Sequence, residues 1–102
     1  MKDKIIELVY KAVKEVGEEQ NKEALLTPNL ETPLYGKPGY LDSLGIVFLV
    51  TELEELIAEE FDCEITLADE RAMSQRTSPF RKVSTLVNYT EKLLKEENIS
   101  NG

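Results

Sequence analysis

The sequence predicts an all-α protein, a small helical bundle of three main helices and one short helix, with a long loop between the first and second helices. Apolar residues recur at helical spacing in three segments, which is the signature of amphipathic helices. Three of the four prolines lie between residues 28 and 38, where such loop-forming residues interrupt the pattern. The 102 residues suffice for one core. We therefore expect a single domain over 1–102, ordered from about 3 to 95, with a tail at 96–102.

The three main helices are predicted at residues 3–16, 43–61 and 83–95. Gly17 is expected to end the first helix, and a loop follows over residues 18–41. A turn of about 100° per residue places the apolar residues of each helix on one face. The residues expected to face the core are Ile5, Val9, Ala12, Val13 and Val16 in the first helix, Ile46, Leu49, Val50, Leu53, Leu56 and Ile57 in the second, and Val83, Leu86, Val87, Thr90, Leu93 and Leu94 in the last.

Local signals define the remaining elements. Asp42 precedes the second helix, where its carboxylate can cap the first turn and meets the positive end of the helix dipole. Thr66 lies three residues before Asp69, a spacing that favours a short helix from there to about Ser74. No clear N-cap precedes the last helix. Four leucines are expected to anchor the long loop to the core: Leu25, Leu26, Leu30 and Leu34.

The composition excludes several classes of function. The formal net charge is -8, so the chain repels nucleic acids and anionic membrane surfaces and attracts basic protein surfaces. It contains no histidine, which excludes Ser-His and Cys-His nucleophiles and the usual histidine-containing metal sites. A single cysteine, Cys63, provides neither an internal disulfide nor a metal cluster. We expect no catalysis by the chain itself and no metal.

The first sixteen residues carry charges throughout. Neither a signal peptide nor a membrane-spanning helix is expected from them. Together with the lone cysteine, this pattern favours a cytoplasmic location, and we expect a monomer that does not insert into membranes.

The triplet Asp42-Ser43-Leu44 follows a loop containing Gly36 and Gly39 and opens an acidic amphipathic helix. In this context the triplet resembles the phosphopantetheine attachment motif of acyl carrier proteins. The resemblance follows the order of helices over residues 3–95. It is most specific over residues 41–53, and again over 61–94, where Phe61-Asp62-Cys63-Glu64-Ile65 resembles the end of the family's second helix and Val87-Asn88-Tyr89 its last helix.

The resemblance implies that Ser43 carries a 4′-phosphopantetheine arm, which a phosphopantetheinyl transferase takes from coenzyme A. The thiol of the arm would hold acyl groups as thioesters for enzymes of fatty-acid, polyketide or specialised lipid synthesis. The physics of the position agrees, because a serine in the first turn of a helix lies near free backbone N–H groups and the positive dipole end. The chemistry then belongs to the arm and to the partner enzymes.

The face of the second helix opposite its core stripe is predicted to bind partners. Apolar residues there point toward solvent beside Ser43, and carboxylates surround them. Such an arrangement is typical of transient interfaces, in which charges steer and apolar residues anchor. The resemblance likewise implies acyl ligases or synthases with basic docking surfaces as partners. The predicted docking residues are Leu44, Val47, Phe48, Thr51, Glu52, Glu55 and Glu59.

Two departures from the family pattern indicate a specialised carrier rather than the housekeeping one. Tyr40-Leu41 stands where many members have a glycine directly before the aspartate, and the second helix is about one turn longer. Two alternatives remain open from the sequence. The chain could carry aminoacyl or peptidyl groups, or it could be an unmodified acidic helical adaptor in which Ser43 only helps to cap a helix.

Overall fold

Three α-helices form the frame of the computed structural model, which describes residues 2–36, 39–67 and 79–101. They are α1 (Lys2–Gln20), α2 (Ser43–Phe61) and α3 (Val83–Asn101). A short 3-10 helix, Glu23–Leu25, follows α1. Helix α1 packs against both α2 and α3, and one aliphatic core fills the space between them. The all-α fold with three main helices is confirmed, and the predicted short helix at Thr66–Ser74 falls largely outside the described residues.

Helix α1 continues beyond Gly17, so the prediction that this glycine ends the helix is wrong. The helix ends at Gln20, where Asn21 adopts the left-handed conformation (φ 56°). The Lys22 N–H then donates to the Gly17 carbonyl at 2.8 Å, which is the closing bond of a Schellman motif. A Cβ atom on Gly17 would lie 2.8 Å from the Cβ of the buried Leu25. The glycine therefore allows α1 to pack closely against the 3-10 helix.

Helix α2 begins and ends at the predicted residues. Asp42 precedes it in an extended conformation, and Asp62 (φ 50°) ends it in the left-handed conformation. Its predicted core stripe is confirmed, because every member is buried, and Gly45 is buried with them. The buried members are Ile46, Leu49, Val50, Leu53, Leu56 and Ile57.

Helix α3 begins at Val83 as predicted but runs to Asn101, past the expected end at Lys95. The segment 96–101 contains neither glycine nor proline, so no residue in it strongly disfavours a helix. Its face is otherwise as predicted, with Leu93 half-buried and the other members buried.

The start of α3 is capped by a distant part of the chain. The N–H groups of Val83 and Ser84 donate to the carbonyl oxygens of Thr32 (3.1 Å) and Leu30 (2.9 Å). These groups have no partner within the helix, so the loop backbone replaces a capping side chain. Because the acceptors lie some fifty residues earlier, the local sequence of α3 contains no clear cap.

The segment between α1 and α2 is held against the residues that lead into α3. The N–H groups of Leu34 and Tyr35 donate to the carbonyls of Arg81 (2.7 Å) and Phe80 (3.0 Å). Of the four leucines expected to anchor this segment, Leu25 and Leu34 are fully buried, whereas Leu26 and Leu30 are more than one-third exposed. Phe80 is also fully buried, which the sequence reasoning missed.

Replacing Leu53 with alanine tests the orientation of α2. Leu53 is fully buried, so Leu53→Ala should lower the free energy of unfolding by about 2–5 kcal/mol. Thr51→Ala, an exposed position on the same helix, should change it by no more than about 0.5 kcal/mol. Urea titrations followed by circular dichroism measure both. Equal effects of the two variants would mean that the helix is rotated from the orientation described.

Candidate functional site

The chain closes a tight loop immediately before α2. The Leu41 N–H donates to the Leu34 carbonyl at 2.7 Å, which closes residues 34–41 at their base. Gly36 has a φ of 85°, a conformation that favours glycine. A Cβ atom on Gly39 would lie 2.6 Å from the carbonyl oxygens of both Gly36 and Leu34. Both glycines are therefore required by the path of the backbone, which delivers the chain to Asp42 at the start of α2.

Asp42 caps α2 as predicted. Its Oδ1 atom accepts a hydrogen bond of 2.9 Å from the Gly45 N–H, and its carbonyl oxygen accepts the Ile46 N–H at 3.0 Å. The backbone N–H groups of Ser43 and Leu44 have no acceptor within the helix. They lie at the positive end of the dipole, and the exposed side chain of Ser43 lies beside them. The start of α2 thus presents a hydroxyl group in a setting that favours a negative charge.

Gly45 explains how a leucine is accommodated directly before Asp42. A Cβ atom at Gly45 would lie 3.0 Å from Cδ2 and 3.1 Å from Cβ of Leu41. Leu41 is buried in the core cluster, so it packs tightly against the bare first turn of α2. The large residue before the aspartate is thus matched by a glycine three positions after it.

The Ser43 hydroxyl has a side-chain partner that the sequence did not indicate. The Oη atom of Tyr35 lies 3.2 Å from the Oγ atom of Ser43, and either group can donate. The two residues are eight positions apart, and only closure of the 34–41 loop brings them together. The sequence shows only that a tyrosine lies in the glycine-containing loop before the serine. Its position relative to Ser43 depends on long-range backbone pairing.

An open cleft of about 590 Å³ adjoins Ser43. The end of α1 forms one side of it, and the loop before α2 forms the other. Among the described residues that line it, Lys22 is basic and Asp42 is acidic. The cleft therefore offers polar surroundings to a group attached at Ser43. Its lining residues are Gln20, Lys22, Tyr35, Gly36, Gly39, Tyr40, Leu41, Asp42 and Ser43.

The predicted docking residues of α2 lie where helical geometry placed them, with one exception. Leu44, Val47 and Phe48 are 62%, 44% and 49% exposed, an unusual concentration of apolar side chains beside one hydroxyl group. Thr51, Glu55 and Glu59 are also exposed. Glu52 is only half-exposed, because it lies at the edge of this face.

Glu52 forms part of a shallow acidic groove between α1 and α2. The groove has a volume of about 220 Å³ and is lined by Glu15, Val16, Glu19, Phe48 and Glu52. A hydrogen bond with the Glu15 side chain, followed by desolvation, raises the pKa of Glu52. The negative charges of Glu15 and Glu55 act in the same direction, whereas Lys11 opposes them. The fold therefore favours a proton on this carboxyl.

The remaining groups that could react or bind a metal are weaker candidates. Desolvation and the negative charges of Glu97, Asp62 and Glu64 raise the pKa of the Cys63 thiol, which disfavours the reactive thiolate. Within residues 2–36, 39–67 and 79–101 no cluster of three metal-binding side chains occurs. In the same part of the chain, no helix combines the length and apolarity needed to cross a membrane.

Comparison of the chain with known protein families, curated proteins and solved structures finds no match in any of the three. The class of protein that the fold and the site support is therefore inferred from the residues themselves. The resemblance is most specific over residues 41–53, and the described geometry adds the cap at Asp42, the exposed hydroxyl of Ser43 and the Leu34–Leu41 pairing before them.

Replacing Glu52 with glutamine tests the raised pKa of this carboxyl in the acidic groove. A carboxyl whose pKa is raised by folding contributes stability below its ordinary pKa and loses that contribution as the pH rises through the raised value. Glu52→Gln should therefore be more stable than the wild type at pH 7, and the difference should shrink toward about pH 5. The exposed Glu59→Gln removes the same charge as a control. Urea titrations at both pH values measure the effect, and equal gains in the two variants would mean that only the net charge matters.

Proposed function

We propose that this chain is an acyl carrier protein in which Ser43 carries a 4′-phosphopantetheine arm. The observation that carries the proposal is the exposed Ser43 hydroxyl at the first position of α2, directly after the capping residue Asp42. The resemblance of the Asp42-Ser43-Leu44 motif and of the surrounding helices supports the same class. The arm supplies the thiol that holds acyl groups as thioesters, so the chain needs no catalytic base of its own.

The residues around Ser43 fit a phosphodiester-linked arm. The N–H groups of Ser43 and Leu44 point out of the start of α2, where the helix dipole favours negative charge. The adjoining cleft is open and adds the cation of Lys22. Access is also favourable, because Ser43 is exposed. These features favour attachment of an anionic group and its presentation to other proteins.

The hydrogen bonds at the start of α2 argue against an unmodified adaptor. In that alternative Ser43 would be present to help cap the helix. The capping bond to the Gly45 N–H comes instead from Asp42, and the partner of the Ser43 hydroxyl is Tyr35. The hydroxyl is therefore not needed to satisfy the helix end, which favours its use as an attachment point.

The face of α2 next to Ser43 supports binding to basic partner enzymes. Leu44, Val47 and Phe48 expose apolar surface beside the attachment point, and Glu55 and Glu59 follow along the same helix. Opposite charges steer an encounter, while apolar anchors slow dissociation. The expected partners are a phosphopantetheinyl transferase and the acyl ligase or synthase enzymes of a specialised lipid pathway. The acidic composition favours acyl over aminoacyl cargo, and we propose that the chain acts as a cytoplasmic monomer.

Intact mass after incubation with coenzyme A and a broad-specificity transferase tests the attachment. The wild type should gain the mass of one phosphopantetheine, and Ser43→Ala should gain none while its circular dichroism remains helical. Ser84→Ala is the matched control, because Ser84 also lies in the first turn of a helix and should leave the gain unchanged. An unmodified wild type with several transferases, or a modified Ser43→Ala, would contradict the proposal.

Charge reversal on α2 tests the docking face. Glu55→Lys, Glu59→Lys and Phe48→Ala should each slow phosphopantetheine transfer or acyl loading, because each removes a steering charge or an apolar anchor. Double reversal at Glu55 and Glu59 should slow it further. Glu18→Lys changes the net charge equally at an exposed position of α1 and should have a smaller effect. Transfer rates at low and moderate salt measure the difference, and equal slowing by Glu18→Lys would remove the docking role of α2.

A further inference from the structure

The backbone of Tyr35 is fixed by hydrogen bonds from two directions. Its own N–H donates to the Phe80 carbonyl at 3.0 Å, and the neighbouring Leu34 N–H donates to the Arg81 carbonyl at 2.7 Å. Leu34 in turn accepts the Leu41 N–H at 2.7 Å, two residues before Ser43. The path from Tyr35 to Ser43 is therefore short and closed, and the backbones on both sides of the hydroxyl pair are held in place.

The side chain of Tyr35 is also held in one direction. It is half-buried and packs against the hydrophobic core, so the ring has little freedom to turn away from the start of α2. Its hydroxyl lies at the exposed end, 3.2 Å from the Oγ atom of Ser43. An exposed bond between two neutral hydroxyls contributes little to stability, since water competes for both groups. Folding alone therefore gives little reason for a hydroxyl at this place.

We infer that Tyr35 is a positioning residue for the phosphate group on Ser43, a role that rests on the proposed function. Once Ser43 is esterified, its Oγ atom bears no hydrogen, so the only proton left in the pair is that of the Tyr35 hydroxyl. Tyr35 then donates to an oxygen of the phosphodiester. A hydrogen bond to a charged acceptor is shorter and stronger than one between neutral groups, so modification strengthens the contact.

This hydrogen bond sets the direction in which the arm leaves Ser43. Tyr35 lies on the loop side of α2 and lines the cleft together with Gln20 and Lys22 from the end of α1. A phosphate held by Tyr35 directs the first atoms of the arm over this cleft. The transferase and the acyl enzymes would then meet an arm with a preferred exit direction.

Tyr40 provides a matched control for Tyr35. Both tyrosines belong to the same loop and line the same cleft, and Tyr40 is 42% exposed. Phenylalanine at either position keeps the ring and removes one hydroxyl. The phosphorus-31 NMR signal of the modified chain reports the surroundings of the phosphodiester directly, so loss of packing elsewhere does not imitate the effect. Circular dichroism melts verify that both variants remain folded.

The modified wild type and Tyr40→Phe should give coincident phosphorus-31 signals, whereas Tyr35→Phe should give a signal displaced by more than the linewidth. In the wild type itself, modification should shift the carbon-13 resonance of the phenol carbon of Tyr35 more than that of Tyr40. This second measurement needs no variant, so it decides the question even if Tyr35→Phe folds poorly.

The two proposals fail in distinguishable ways. A wild type that remains unmodified would overturn the carrier function, and the role of Tyr35 with it. A wild type modified at Ser43 whose phosphorus signal is the same in Tyr35→Phe, or whose Tyr35 carbon resonance does not respond to modification, would overturn the role of Tyr35 alone. In that case the carrier function stands and the arm leaves Ser43 without this contact.

Discussion

The rest of the structure depends on the backbone pairing between residues 30–35 and 80–84. This pairing supplies the acceptors that the start of α3 lacks and fixes the backbone of Tyr35 beside α2. Since each unsatisfied buried amide would cost free energy comparable to a lost hydrogen bond, the loop and the start of α3 stabilise one another. A segment that reads as a connection in the sequence therefore acts as a structural element between two helices.

The interiors of the helices were predictable because their apolar periodicity is a local property. All six hydrophobic core residues of α2 were identified. Both of its ends, which lie at Asp42 and Asp62, were identified as well. At two other points a distant residue decides. Gly17 was predicted to end α1, but a glycine is needed there because Leu25 approaches it closely. The cap of α3 was unclear because it comes from Leu30 and Thr32.

The same difference between local and long-range signals applies to the candidate site. Asp42 and Ser43 could be predicted because the cap and the motif lie within a few adjacent residues. Tyr35 could not, because its distance from Ser43 depends on loop closure and on pairing with Phe80. Likewise, a helical projection of α2 placed Glu52 on the open face. It cannot represent Glu15 on α1, which lies across the groove and raises the pKa of Glu52.

Asp42 and Ser43 have separate roles at the start of α2, because Asp42 caps the helix and Ser43 presents its hydroxyl. Because Asp42 supplies the side chain that caps the first turn of α2, the proposed substituent on Ser43 would leave this cap in place. Modified and unmodified forms would then share one fold and differ at Ser43 and in the cleft beside it. A protein that distinguishes these forms would have to contact that region.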